Sequence, residues 1–308
     1  MTPRGGAFLG AMAAIGLAAC GARAPRTEKP MFNSDTALVE AAGNPSVELA
    51  ARIEALAHLS SARGAGRIPA LKRLLERARP GPQPLLLNWD PQAAERVVDL
   101  HIVATLHLLG DDSEFYRIPQ LVAQAGNVLQ GPESELGNAA QVILEIGRKD
   151  LIGALVARTE DPSPGVVRNV VRTLELLNLP EQPVRQSLSG VANLAVPVSF
   201  TIRTLSQEAE SLVSLSGGSI RLTQDAQSYV LTHDFERGTV ARDNVTLASV
   251  LERDLPLLNL DYYVANGVAV ICTLREAGQL WHDWWGKHSQ ALEYRKDRSA
   301  FELPGLAM

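Results

Sequence analysis

The chain has 308 residues, 46% of them hydrophobic and 20% charged, a globular composition with room for two domains. Its formal net charge is −5 and it has no basic block, which argues against nucleic acid or an anionic membrane surface as a charge-driven partner. Two cysteines in 308 residues also exclude a disulfide-stapled scaffold.

The N-terminus reads as an export signal. Residues 1–6 carry one positive charge, Arg4, and residues 7–17 are an apolar run. That run is too short to span a bilayer, which needs about 20 residues, but it suits the apolar part of a secretory signal. Leu17-Ala18-Ala19-Cys20 then puts small residues just before a cysteine. This pattern resembles the lipobox of bacterial lipoproteins. The resemblance implies that residues 1–19 are a signal peptide, cleaved before Cys20, and that the Cys20 sulfur and amino group are lipidated. Each buried CH₂ contributes about 0.8 kcal/mol, so several acyl chains hold a domain at a membrane. The alternative is an ordinary secretory signal with an incidental cysteine. With Cys20 lipidated, Cys272 has no cysteine to pair with, and its apolar setting in Val270-Ile271-Cys272 predicts a buried structural thiol. No later apolar run reaches spanning length, so the lipid would be the only attachment. Residues 20–35 are small and polar, with Pro25 and Pro30, and are expected to form a flexible tether. By analogy with proteobacterial lipoproteins, Gly21 in place of an aspartate points to the outer membrane.

Residues 36–190 repeat themselves. Asn44-Pro45-Ser46, Asp90-Pro91-Gln92, Gly131-Pro132-Glu133 and Asp161-Pro162-Ser163 each precede an apolar helical segment, at intervals of 46, 41 and 30 residues. A capping side chain accepts orphan backbone N–H groups, and proline in the first turn has no N–H to waste, although Gly131 cannot cap in this way. Second helices are expected at Arg67-Ile68-Pro69-Ala70-Leu71, at Arg117-Ile118-Pro119-Gln120-Leu121 and at Asp150-Leu151-Ile152. In the second unit Val97, Leu100, Val103, Ala104 and Leu108 make one apolar face, and Val98, Ile102, Leu106 and Leu109 another, so both need covering. In the fourth, Val166, Val167, Val170, Val171, Leu174 and Leu177 share a face, with Arg168, Asn169, Arg172 and Glu175 opposite. Helix pairs at this period are the mark of an α-solenoid, and these resemble HEAT repeats, most clearly around Asp161-Pro162-Ser163-Pro164. The alternative is a non-repetitive helical bundle.

The period then changes. Pro197-Val198-Ser199-Phe200-Thr201-Ile202-Arg203 alternates as a strand, residues 205–215 read as a helix ending at Gly217-Gly218, and residues 219–223 as a strand. Residues 229–240 are expected to be another strand, continuous or broken, and residues 247–258 a helix with a capping start at 244–246. Asn266-Gly267 between two β-rich runs predicts a hairpin. The expected order over residues 196–274 is β-α-β-β-α-β-β, a small α+β domain. Asn244-Val245-Thr246-Leu247, Leu260-Asp261-Tyr262-Tyr263-Val264 and Asn266-Gly267-Val268-Ala269-Val270-Ile271 resemble the secretin and TonB short N-terminal domain. That resemblance implies a periplasmic module that works by protein–protein contact without catalytic residues.

Residues 275–308 are expected to be a C-terminal helix and a loose tail from Lys296. Trp281, Trp284, Trp285 and His288 fall on one helical stripe, continued by Leu292. The stripe is expected either to dock on the chain's own domains or to present a face to a partner. Gly278 is the only breaker before it.

No catalytic or metal motif appears. The six histidines include no i, i+3 or i, i+4 pair, and H-E-x-x-H, C-x-x-C, G-x-S-x-G and phosphate-loop patterns are missing. Asp111-Asp112 and Glu133 to Glu135 read as solvated loop acids. The chain is therefore expected to be no enzyme and to need no cofactor. Its expected function is that of a lipid-anchored, periplasm-facing adaptor that holds another envelope protein. The alternative is an envelope glycan- or small-ligand-binding lipoprotein that uses a groove between the domains and the tryptophans for stacking.

Overall fold

The computed structural model describes residues 34–61, 65–77, 91–126, 134–234 and 236–304. The chain is a mixed α/β protein dominated by helices. The first part contains α1 (Asp35–Gly43), α2 (Leu49–Ser61), α3 (Ile68–Leu75), α4 (Pro91–Leu108), α5 (Arg117–Gln124), α6 (Glu135–Ile146), α7 (Lys149–Val156) and α8 (Pro164–Leu176). α2 packs on α4, α4 on α6 and α6 on α8, with α5 set against α8. Both expected faces of α4 are covered, except that Leu108 at its end is 60% exposed. On α8, Val167, Val170, Val171 and Leu174 are buried.

The expected caps are not the ones used: Ser163 stands at the cap position of α8 without a side-chain cap bond, and a hydroxyl caps α6 at Ser134. α2 begins at Leu49, because the Asn44 side chain accepts the Ser46 N–H in a local turn after α1. α8 begins at Pro164, with Ser163 as its cap residue and Asp161 accepting the Ser163 N–H. The Ser134 hydroxyl caps α6 through the Gly137 N–H. The Gly131-Pro132-Glu133 start lies outside the described residues.

The second part runs β1 (Pro197–Thr204), α9 (Leu205–Leu215), β2 (Ile220–Leu222), α10 (Gln224–Thr232), β3 (Glu236–Thr246), α11 (Leu247–Asp254), β4 (Leu260–Ala265) and β5 (Val268–Thr273). β1 and β3 pair antiparallel as a two-stranded sheet. β2, β5 and β4 make a second sheet, with β2 parallel to β5 and β4 antiparallel to it. A threonine hydroxyl opens each helix after a strand. Thr204, Thr223, Thr246 and Thr273 accept N–H groups from Gln207, Ala226, Ser249 and Glu276 respectively. Asn266 and Gly267 carry φ of 52° and 74° in the two-residue turn between β4 and β5, as this hairpin requires.

This corrects the expected β-α-β-β-α-β-β order. Residues 224–232, placed partly in a strand, form α10. The Thr223 cap, the acid Asp225 in the first turn, and Ala226 and Val230 buried one turn apart favour a helix over the β-branched content. The strand follows instead, and it runs through the Asn244 bulge, where φ is 53° and the pairing register shifts.

The C-terminal segment adds α12 (Leu274–His288) and a hairpin of β6 (Glu293–Arg295) and β7 (Ala300–Glu302). The expected loose tail is thus folded, because Phe301 and Leu303 are buried in the core of the helical part. Gly278 does not break the chain. It lies inside α12, where a Cβ would come within 3.0 Å of the Thr159 Cβ. One core extends from Leu38 through α8 and α12 to Leu303, and a second fills the α/β part from Leu188 to Ile271.

Candidate functional site

The stripe residues come together on α12. Trp281 is fully buried, Trp284 and His288 are buried, and Trp285 is half-buried. Trp281 meets Trp284 edge-on at 5.4 Å between centroids, and Trp284 lies 5.3 Å from the His288 ring. The Trp284 indole donates to the Pro180 carbonyl at 3.1 Å. Gly153 on α7 makes room for Trp285, since a Cβ there would sit 2.7 Å from the indole. His288 Nε2 lies 3.4 Å from Glu181 Oε2. Burial and the neighbouring Lys287 hold its pKa below the usual histidine value. The helix contacts α7, α8, β4 and β5, so the stripe lies where the helical and α/β parts meet. The indole faces needed for sugar stacking are covered at Trp281 and Trp284. Cys20 lies outside the described residues.

A second element of this joint is electrostatic. Arg172 and Glu175, assigned by spacing to the outer face of α8, are buried, as is Asn169. An Arg172 Nη donates to Glu175 at 2.8 Å and to Asp261 of β4 at 2.6 Å, and the other Nη donates to the Leu260 carbonyl at 2.8 Å. Arg185 approaches Glu175 at 3.6 Å, and its backbone N–H donates to the Tyr262 carbonyl at 2.8 Å. Burial, opposed by Arg172 and reinforced by Asp261, holds the Glu175 pKa well above the usual carboxylate range. Burial likewise pushes up the Cys272 thiol opposite Asp261. Asp261, an acid within the apolar β4 pattern, was the sequence signal for this contact, but nothing local names its partner.

Between successive helices of the first part, buried ion pairs recur. Arg52 donates to Glu95 at 2.6 Å, Arg77 reaches both Glu95 and Asp99, and Arg96 donates to Glu135 at 2.5 Å. Asp112 is exposed as expected and pairs with Arg148 at 2.9 Å, Asp111 is half-buried against Lys72 at 2.7 Å, and Glu135, expected to be a solvated loop acid, is instead buried on α6. The Lys72 hydrogen bond holds Asp111 down to about 2.

No group of three or more histidine, cysteine or acidic side chains is placed to hold a metal among the described residues. A polar recess of about 190 Å³ beside Asp99, Arg117, Gln120 and Gln124 contains no nucleophile–base pair. No helix among the described residues is long and apolar enough to cross a membrane.

The sheet edges differ in their cover. Along β4, the Tyr262 carbonyl accepts Arg185 N–H and the Val264 N–H donates to Gln186 Oε1 at 3.0 Å. β2 has only three residues. β1 and β3 gain no third strand among the described residues. Comparison with protein-family models, curated proteins and solved structures finds no match for the chain.

Proposed function

We propose that the chain is a lipid-anchored scaffold of the bacterial cell envelope, which holds a partner protein by surface contact and performs no catalysis. The observation that carries this reading is the joint. The aromatic stripe of α12 and the Arg172–Glu175–Asp261 cluster, the residues richest in chemistry, are spent on fixing the α/β part against the helical part. A fixed joint suits a body that presents one module at a set position from an anchor. The helical part is read as a HEAT-like stack. The α/β part is read as a relative of the secretin and TonB short N-terminal domain, although α10 departs from the order expected of it. Lipidation at Cys20 supplies the anchor and places the scaffold facing the periplasm, at the outer membrane.

The test is Cys20→Ser in cells, followed by membrane fractionation and recovery of crosslinked partners. The variant should stay unprocessed or move to soluble fractions. Normal processing and membrane association of the variant would overturn the anchor. A wild-type chain that crosslinks to no envelope protein would overturn the scaffold.

A further inference from the structure

We infer that one proton on Glu175 switches the joint between the two parts. With the proton bound, the Arg185 guanidinium rests on the Glu252 carbonyl of α11. With the proton lost, Glu175 draws the guanidinium off α11 and onto α8. This goes beyond the scaffold reading and stands without it.

The geometry starts at a single nitrogen. Arg172 Nη1 has the two Glu175 oxygens at 2.8 and 2.9 Å and Asp261 Oδ2 at 2.6 Å. An Nη carries two hydrogens, so it cannot satisfy three oxygens of two buried carboxylates. A proton on Glu175, donated to Asp261, relieves the crowding. Burial holds Glu175 well above the usual carboxylate range, with Arg172 and Arg185 opposing it and Asp261 adding to it.

Arg185 is the cation in reserve. It lies on the loop of residues 177–187 that leaves α8. It stands 3.6 Å from Glu175 Oε2 and 4.0 Å from Asp261 Oδ1, too far for a hydrogen bond to either. Its bonds go to the α/β part instead. One Nη donates to the Glu252 carbonyl, the guanidinium lies 6.0 Å from the Tyr262 ring centroid, and the backbone N–H donates to the Tyr262 carbonyl. A charge-assisted bond closes at about 2.7–2.9 Å, so less than about 1 Å separates Arg185 from Glu175. The guanidinium fork is rigid and planar, so closing one nitrogen on Glu175 moves the other away from Glu252. The loop is also strained. Glu181 and Arg185 both have φ of 50°, a left-handed backbone that neither side chain favours. Such strain persists only where surrounding contacts hold it, so losing one contact moves the loop.

The groups that face Glu175 are Arg172 on its own helix, Asp261 on β4, Cys272 on β5 and Arg185. Arg168 on α8 acts on Arg172, and Tyr262 on Asp261 and Arg185. The charges of the other elements packed on α8 are engaged elsewhere. Arg117 of α5 pairs with Glu114, Glu135 of α6 with Arg96, Asp150 of α7 with Arg148, and Glu160 with His282. On α12, Glu276 accepts the Thr273 N–H and His288 faces Glu181.

The test follows Glu175 Cδ and Arg185 Nε by NMR on the full chain as pH rises. Both should shift with one midpoint, above the ordinary 4.5. In Glu175→Gln, Arg185 Nε should keep its low-pH position throughout. A Glu175 midpoint at or below 4.5, or an Arg185 signal that titrates equally in the glutamine variant, overturns the switch. His288 is the rival trigger, because it faces the same loop. A transition kept in Glu175→Gln and lost in His288→Gln gives the loop to the histidine and overturns the assignment. Arg185→Ala tests the pair without relying on the glutamine variant. Without the cation, the proton affinity of Glu175 should rise about tenfold. An unchanged midpoint would show that Arg185 is not the ion that Glu175 recruits.

Discussion

Removing the Arg172 guanidinium takes the nearest cation from the buried Asp261 carboxylate, leaving it the Tyr262 N–H and Arg185 at 4.0 Å, and removes a donor from the Leu260 carbonyl. Arg172→Ala should therefore cost about 3–5 kcal/mol, the usual cost of leaving a buried charge without its partner. A urea midpoint within error of wild type would show that the joint is solvated. Glu175→Gln should behave differently, because burial and Asp261 already favour the neutral form of Glu175. At pH 7 the change should stay within about 1 kcal/mol. A raised folded-state pKa on an acid means stability that is present below the unfolded value of 4.5 and lost as pH rises through the folded one. The glutamine variant should lack that alkaline-side loss. At the acid end the sign reverses. Asp111 is held down to about 2 by Lys72, and Arg52 and Arg77 outweigh burial to keep Glu95 low. Their contribution is present above the ordinary carboxylate values and fades as pH falls, through about 2 for Asp111. Lys72→Ala should return the Asp111 titration toward 3.8, and a carboxyl NMR titration reads it directly.

At the scale of elements, α8 has two faces with separate uses. Val171 is fully buried on the apolar one, so Val171→Asp puts an unpaired charge in the core. The whole helical part should lose cooperative unfolding, and unchanged thermal unfolding would mean that the face is open. The α12 contact depends on small residues. Gly278→Val would push side-chain atoms into Thr159 and should cost about 1–3 kcal/mol, measured by denaturant midpoint. α8 and α12 were both legible as helices, since their apolar residues recur at helical spacing. The burial of the polar face of α8 was not, because Arg168, Asn169, Arg172 and Glu175 look the same in sequence whether water or β4 lies opposite. α10 was misread for a related reason. Val230 and Thr232 carry strand propensity, but the Thr223 cap and the seat of Ala226 and Val230 in the second core decide the segment.

For the whole molecule, α12 and the terminal hairpin belong to the core of the helical part, although they follow the α/β part in sequence. Truncation after Ala277 removes Trp281, Trp284, Leu292, Phe301 and Leu303 from that core. It should lower the unfolding midpoint and raise binding of an apolar dye. A truncated chain that unfolds like the full one would show that this segment adds nothing to the core. Sequence alone determined the helix–strand division near residue 196, most helix positions, the Asn266-Gly267 hairpin and the apolar stripes, because capping, turn chemistry and periodicity act within a few residues. The lipobox-like run at Cys20 is also local. Only the tertiary structure decided that the Trp281 and Trp284 indoles face inward, that Arg172 and Asp261 meet 89 residues apart, and that Arg185 and Gln186 bond to β4. Those outcomes depend on which surfaces the fold brings opposite one another, and a side chain's own neighbours in sequence carry no record of that.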